Sequence, residues 1–216
     1  KVLPLGNLLE LRLNNNSILG SGIQTLCEGI ASQSALYLLD LSGNPIGIGG
    51  ANALTRLMEN ESTITSLGLS WTGLFGVSFA MLLRALARNS AVKVLDFSFN
   101  TLTASPGGPQ LESPIHSLAY FFKNNLNVVH LDLSFNNITS DDCLILAAGI
   151  KKNRTLVGLH FDGNGGWLDS RGFIKNSGNG AKIYNNGLKS GVHADILNVL
   201  RISDQRAAAT IGLVKE

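Results

Sequence analysis

What this chain has little of narrows its identity first. Only 15% of its 216 residues are charged, and the formal net charge is +2. That excludes a strongly basic nucleic-acid binder and an acidic-tail protein. No apolar run reaches the roughly 18 residues a membrane-spanning helix needs. No secretory leader opens the chain. It begins at Lys1 in mid-pattern and without Met, as a piece of a longer protein or complex would. Cysteine is scarce: Cys27 and Cys143 are the only two, far apart and in different repeat units. No disulfide framework is expected, which fits a cytoplasmic setting, in the cytosol or on the cytoskeleton. A phosphate-binding loop is also missing, since the glycines of "IGIGG" at 46–50 are not followed by Lys-Ser/Thr. Four N-x-S/T sequons begin at Asn15, Asn60, Asn137 and Asn153. Roughly three would arise by chance in so Asn- and Ser-rich a chain, so they carry little weight.

What the chain does have is one phrase, repeated. "LDLSGNPI" at 39–46, "LDFSFNTL" at 95–102 and "LDLSFNNI" at 131–138 are nearly the same words. Aligned on the residue that closes the phrase, Asn16, Asn44, Thr72, Asn100, Asn136 and Asn164 follow at steps of 28, 28, 28, 36 and 28. Apolar places travel with it, as in Leu36, Leu39, Leu41, Ile46 and Val128, Leu131, Leu133, Ile138. In the sixth unit the last place fails, at Gly166. The second half of each unit carries apolar residues at helical spacing, as in Phe79, Leu82, Leu86 and Cys143, Leu146, Ile150.

This L-x-x-L-x-L-x-x-N-x-L pattern resembles the leucine-rich repeat family, and the 28-residue unit resembles its ribonuclease-inhibitor-like subfamily. The resemblance spans about residues 5–165. It implies an α/β solenoid, a horseshoe arc with parallel strands on the concave face and helices on the convex face. The central L-x-L reads as a short strand whose leucines point inward. The closing Asn is the family's buried ladder residue, satisfying backbone groups of neighbouring units. Thr72, shorter and with a single donor, predicts a local adjustment there and not a break. A first strand starting inside a repeat would expose an apolar edge for further repeats or a partner to cover.

Domain organisation follows. Residues 1–166 read as an arc of about six repeats. Eight extra residues fall in "TLTASPGGPQLESP" at 101–114, an insertion loop at 103–113 beside the concave rim. Residues 167–216 read as a degenerate C-terminal cap or tail, Gly/Asn-rich at first, then a helix near 193–209.

Outward strand positions stack in columns. The residue between the strand leucines gives Arg12, Asp40, Gly68, Asp96, Asp132, His160, and two residues earlier stands His130 in the fifth unit. Two residues later the column is Asn14, Ser42, Ser70, Ser98, Ser134, Asp162. The place before the ladder residue gives Asn15, Gly43, Trp71, Phe99, Phe135, Gly163. The face is weakly acidic and hydroxyl-rich, with Trp71, Phe99 and Phe135 poised to form an aromatic ridge along it. Exposed aromatics beside polar groups make interaction hot spots. The candidate partner-binding residues are these three with Asp40, Asp96, Asp132, His130, His160 and Asp162.

Catalysis is not expected. His130, Asp132 and Ser134 alternate on one strand, but residues i and i+2 stand almost 7 Å apart, while a nucleophile and its base need about 3 Å. His130, Asp132, His160 and Asp162 lack short ligand spacing, so no metal and no cofactor is expected. Asp132 and His160 should stand side by side. The expected function is a protein-interaction module or scaffold subunit binding a protein partner, with neither nucleic acid nor membrane involved. The resemblance admits a cytoskeletal or ciliary assembly, an immune-receptor sensor, or a regulator of an enzyme such as a GTPase activator or inhibitor.

Overall fold

Each phrase becomes a three-residue strand, and each of the first five is followed by a helix. In the computed structural model these are β1 (Glu10–Arg12), β2 (Leu38–Asp40), β3 (Ser66–Gly68), β4 (Val94–Asp96), β5 (His130–Asp132) and β6 (Gly158–His160). Between them run α1 (Gly20–Ala31), α2 (Gly47–Glu59), α3 (Gly76–Arg88), α4 (Pro114–Asn124) and α5 (Ser140–Ile150). The structure describes residues 8–31, 35–60, 63–103, 113–169, 172 and 174–176. All belong to the first of two compact units, Lys1–Gly180; the second, Ala181–Glu216, lies outside the described residues. So do residues 104–112 of the insertion expected at 103–113, and the expected helix near 193–209.

The six strands form one parallel sheet in chain order, and the 36-residue step leaves the register intact: Leu95 pairs with Leu131 as Leu39 does with Leu67. One side of the strands is dry. Leu39, Leu67, Leu95 and Leu131 are buried, sharing a core with Ile23, Leu54, Phe79, Leu82, Leu118, Phe122 and Leu146 of the helices. Burying one such side chain is worth about 1.5–3 kcal/mol. Successive helices pack side by side, α1 on α2 through α4 on α5. α5 has a full capping box, Thr139 with Asp142, while α4 opens on Pro114, whose missing N–H costs a helix nothing at its first position.

The buried amides tie the units together. Asn44 Nδ2 donates to Leu41 O and, across the repeat boundary, to Leu13 O, both at 2.8 Å. Its Oδ1 accepts the backbone N–H groups of Asn16 and Ile18. Asn100 and Asn164 repeat that pattern towards Thr72 and Asn136. Thr72 adjusts locally: its hydroxyl donates to Leu69 O at 2.8 Å and meets Asn100 Oδ1, reaching nothing in the second repeat. After the insertion the ladder is imperfect. Leu102 N–H donates to the backbone O of Asn136, and the buried Asn136 Oδ1 has no hydrogen-bond partner.

A second amide ladder, unread in the sequence, runs where the helices end. Asn89, Asn125 and Asn153 donate to Met58 O, Leu86 O and Phe122 O of the preceding unit. Their Oδ1 atoms accept two backbone N–H groups each, as Asn89 does from Ala91 and Val92. Asn153, a sequon residue, is thus a structural ladder member. Beyond β6, β7 (Gly166–Leu168) and β8 (Ile174–Asn176) pair antiparallel, and β8 packs on α5. Gly166, where the apolar pattern failed, sits so close that a Cβ there would lie 2.5 Å from Cys143 Sγ and from Lys175 O.

Candidate functional site

The strand residues on either side of the buried leucines form the columns read from the sequence, and the pairing places them in register. Glu10, Leu38, Ser66, Val94, His130 and Gly158 are partners in turn, as are Arg12, Asp40, Gly68, Asp96, Asp132 and His160. The serines next to them are mostly turned inward. Ser70, Ser98 and Ser134 are buried, and Ser98 Oγ donates to Asp96 Oδ1 at 2.7 Å.

The aspartates have a local job as well as an exposed edge. Asp40, Asp96 and Asp132 each accept the N–H of the serine two residues on, at 3.0, 2.9 and 2.8 Å. Such side-chain turns hold the chain as it leaves the strand. Burial raises the pKa of Asp96 above the usual carboxylate value; hydrogen bonds from Ser98 oppose this, and Asp132 and Asp40 add to it by like charge. At the first strand Arg12 pairs with Glu10, whose pKa is lowered by hydrogen bonds from Tyr37 and Arg12. Asp162 stands exposed in the sixth unit.

His130 and His160 meet edge-to-face, ring centroids 4.9 Å apart. His130 leans over Gly158, where a Cβ would lie 2.4 Å from its Nδ1. Burial lowers the His130 pKa, the His160 charge lowers it further, and Asp132 opposes both. The register places Asp132 beside His160 as the sequence reading expected. Among the described residues no group of three or more His, Cys, Asp and Glu could hold a metal ion.

The aromatic column is a continuous stack. Trp71 and Phe99 lie with centroids 4.5 Å apart and planes 14° from parallel; Phe99 and Phe135 lie 4.6 Å apart and 10° from parallel. All remain open to solvent, at 63%, 37% and 47% exposure. Their backbones explain the alignment. Trp71, Phe99 and Phe135 have φ of 54°, 56° and 55°, in the left-handed region. The other members of the column, Asn15, Gly43 and Gly163, share it at 59°, 70° and 72°. Glycine and asparagine enter that region readily, whereas bulky aromatic residues do so at a cost of about 1–2 kcal/mol. The sequence could place these rings in one column but not at positive φ. It also missed the exposed Leu19, Ile48 and Phe75 near the helix starts, which fall outside the strand phrase.

Both cysteines are buried, and burial pushes their thiols up, Cys27 to about 12 and Cys143 to about 11, so neither is a nucleophile. Among the described residues no helix is long and apolar enough to cross a membrane.

No family model matches the chain. Its sequence is similar to NLR family CARD domain-containing protein 4 of Bos taurus, 30% identical over 164 residues that cover 74% of this chain and 15% of that protein. It is also similar to Leucine-rich repeat-containing protein 45 of Gallus gallus, 30% identical over 101 residues, covering 46% of this chain and 15% of the relative. The chain therefore spans only a small part of the length of these curated relatives. Among solved structures, leiomodin-1 actin-binding site 2 (ABS2) is similar in fold, with a TM-score of 0.53 at 19% identity over 66% of this chain and 79% of that one. In sequence and in fold the repeats of this chain are similar to those of leucine-rich repeat proteins.

Proposed function

We propose that this chain is a non-enzymatic protein-interaction module that docks a protein partner on the open face of its sheet. The observation that carries this is the Trp71–Phe99–Phe135 stack: three exposed rings in consecutive repeats, each held at a positive φ that a glycine would adopt without cost. Solvent-facing strain of that kind contributes nothing to the core, and large flat aromatic surface beside polar groups is what binding hot spots use. The relatives support protein binding as the class of function. The 28-residue unit favours the ribonuclease-inhibitor-like subtype, with the ridge on the concave side of a curved arc. The leiomodin likeness makes a cytoskeletal assembly the first setting to examine. Asp40, Asp96, Asp132, His130, His160 and Asp162 would form the polar surround of the ridge. An enzyme-regulating role, such as GTPase activation, would call for a free basic cluster. Among the described outward positions of β1 to β6 the one Lys or Arg is Arg12, held by Glu10.

The test is affinity purification from the native source with wild type beside Trp71→Gly/Phe99→Gly/Phe135→Gly. Glycine keeps the left-handed backbone, so the variant should fold. Specific partners should be lost with the ridge. Unchanged recovery of the same partners by the variant removes the proposal.

A further inference from the structure

Side chains on this face lean over the unit that follows. Asn15 covers Gly43, where a Cβ would lie 2.1 Å from its Oδ1. Phe135 covers Gly163, at 2.2 Å from its Cδ1, and Asp40 covers Gly68, at 2.6 Å from its Oδ1. By the same lean a side chain at position 43 would lie on Trp71. Gly43 has none. The ring stack thus ends at Trp71: one indole face rests on Phe99, and no ring pairs with the other. That is why Trp71 is 63% exposed and Phe99, stacked on both faces, only 37%. At the far end Phe135 is closed off by Gly163.

The missing rung has a charge beside it. Asp40 leans over Gly68 of the third unit, the unit that carries Trp71. Gly68 and Trp71 are three residues apart, at most about 10 Å even along extended chain, within the span of an arginine side chain laid across the two. Asp40 accepts a hydrogen bond from Ser42 N, and the neighbouring Arg12 turns to Glu10 instead of to Asp40. No Lys or Arg occurs at the outward strand positions of β2 to β6 or in the turns from the strand ends to the ladder residues.

We infer that the indole face of Trp71 turned away from Phe99 receives an arginine side chain of the protein partner, its planar cation stacked on the ring and Asp40 as counter-charge. This rests on the reading of the ridge as a docking surface and adds the chemistry of the docked residue. A guanidinium fits where an ammonium does so less well, since it is flat, weakly hydrated and able to stack.

The experiment titrates 15N-labelled protein with the blocked peptide Gly-Ser-Leu-Arg-Leu-Ser-Gly and with its Lys and citrulline counterparts. Citrulline keeps the planar shape and removes the charge. The Trp71 indole N–H reports, and the exposed Trp167 serves as reference. The arginine peptide should shift Trp71 and not Trp167, and bind about three- to fivefold tighter than the citrulline peptide. Asp40→Asn should reduce that preference to within about twofold. Equal binding of all three peptides at Trp71 overturns the inference and leaves the docking surface standing. No shift at Trp71 up to millimolar peptide also overturns it, and partner recovery with the ridge variant then judges the docking surface separately.

Discussion

Three side chains of this protein sit where their backbone is strained and their rings meet water. A left-handed aromatic costs about 1–2 kcal/mol, and a stacked pair returns about 0.5–1.5 kcal/mol. For a ring with one stacked partner the two nearly cancel, so Trp71→Gly should change stability by less than about 1 kcal/mol in a urea titration. Leu95→Ala, in β4 and fully buried, should cost about 2–5 kcal/mol. A large loss for Trp71→Gly would make the ridge a structural element. The titrating groups give opposite signs. The Asp96 pKa is raised in the fold, so its contribution is present at low pH and lost as pH rises through the folded value; ionised, it is a cost. Asp96→Asn should therefore raise the melting temperature at about pH 7, with the gain vanishing near about pH 4. His130 is shifted down, so its neutral form is favoured and stability falls as pH drops below about 6.5 towards the folded value. His130→Gln should lose less stability between about pH 7 and pH 5 than wild type does. An equal loss would place the titration elsewhere.

Elements follow from the phrase with little help from the surroundings. The repeated phrase fixed the six strands of the parallel sheet and their register, because period-two alternation admits one inward set, while β7 and β8 lie outside it. The helices were legible from spacing, since Phe79, Leu82 and Leu86 cannot share a face otherwise. The second amide ladder was not legible, because Asn89, Asn125 and Asn153 stand between phrases, where a lone Asn reads as a turn. The ridge column was legible as a list of residues, but its stacking needed the common φ and the shared lean, which no spacing encodes. Thr72 shows what an interrupted ladder means for the element. Thr72→Asn should donate to Leu41 O as Asn44 does to Leu13 O. It should raise the urea midpoint by the equivalent of about 0.5–1.5 kcal/mol. A lower midpoint would mean that the site has closed around the smaller side chain.

Across the described molecule burial is graded. The apolar phrase residues of the third to fifth units are buried, while Leu8, Leu11, Leu13 and Ile18 of the first are only partly so. A stack of units in which each holds its neighbours opens from its less covered end. Hydrogen exchange should therefore be slowest at Leu67, Leu95 and Leu131 and faster at Leu11; uniform protection would mean that the units unfold as one.

The central claim is that a partner sits on the ridge. The most direct measurement is photo-cross-linking in cells of the native source, with p-benzoylphenylalanine in place of Phe99 and, separately, of the exposed helix residue Leu144. Docking on the ridge predicts a discrete protein adduct from position 99 and none from 144. Adducts from 144 alone would contradict it and move the partner to the helices.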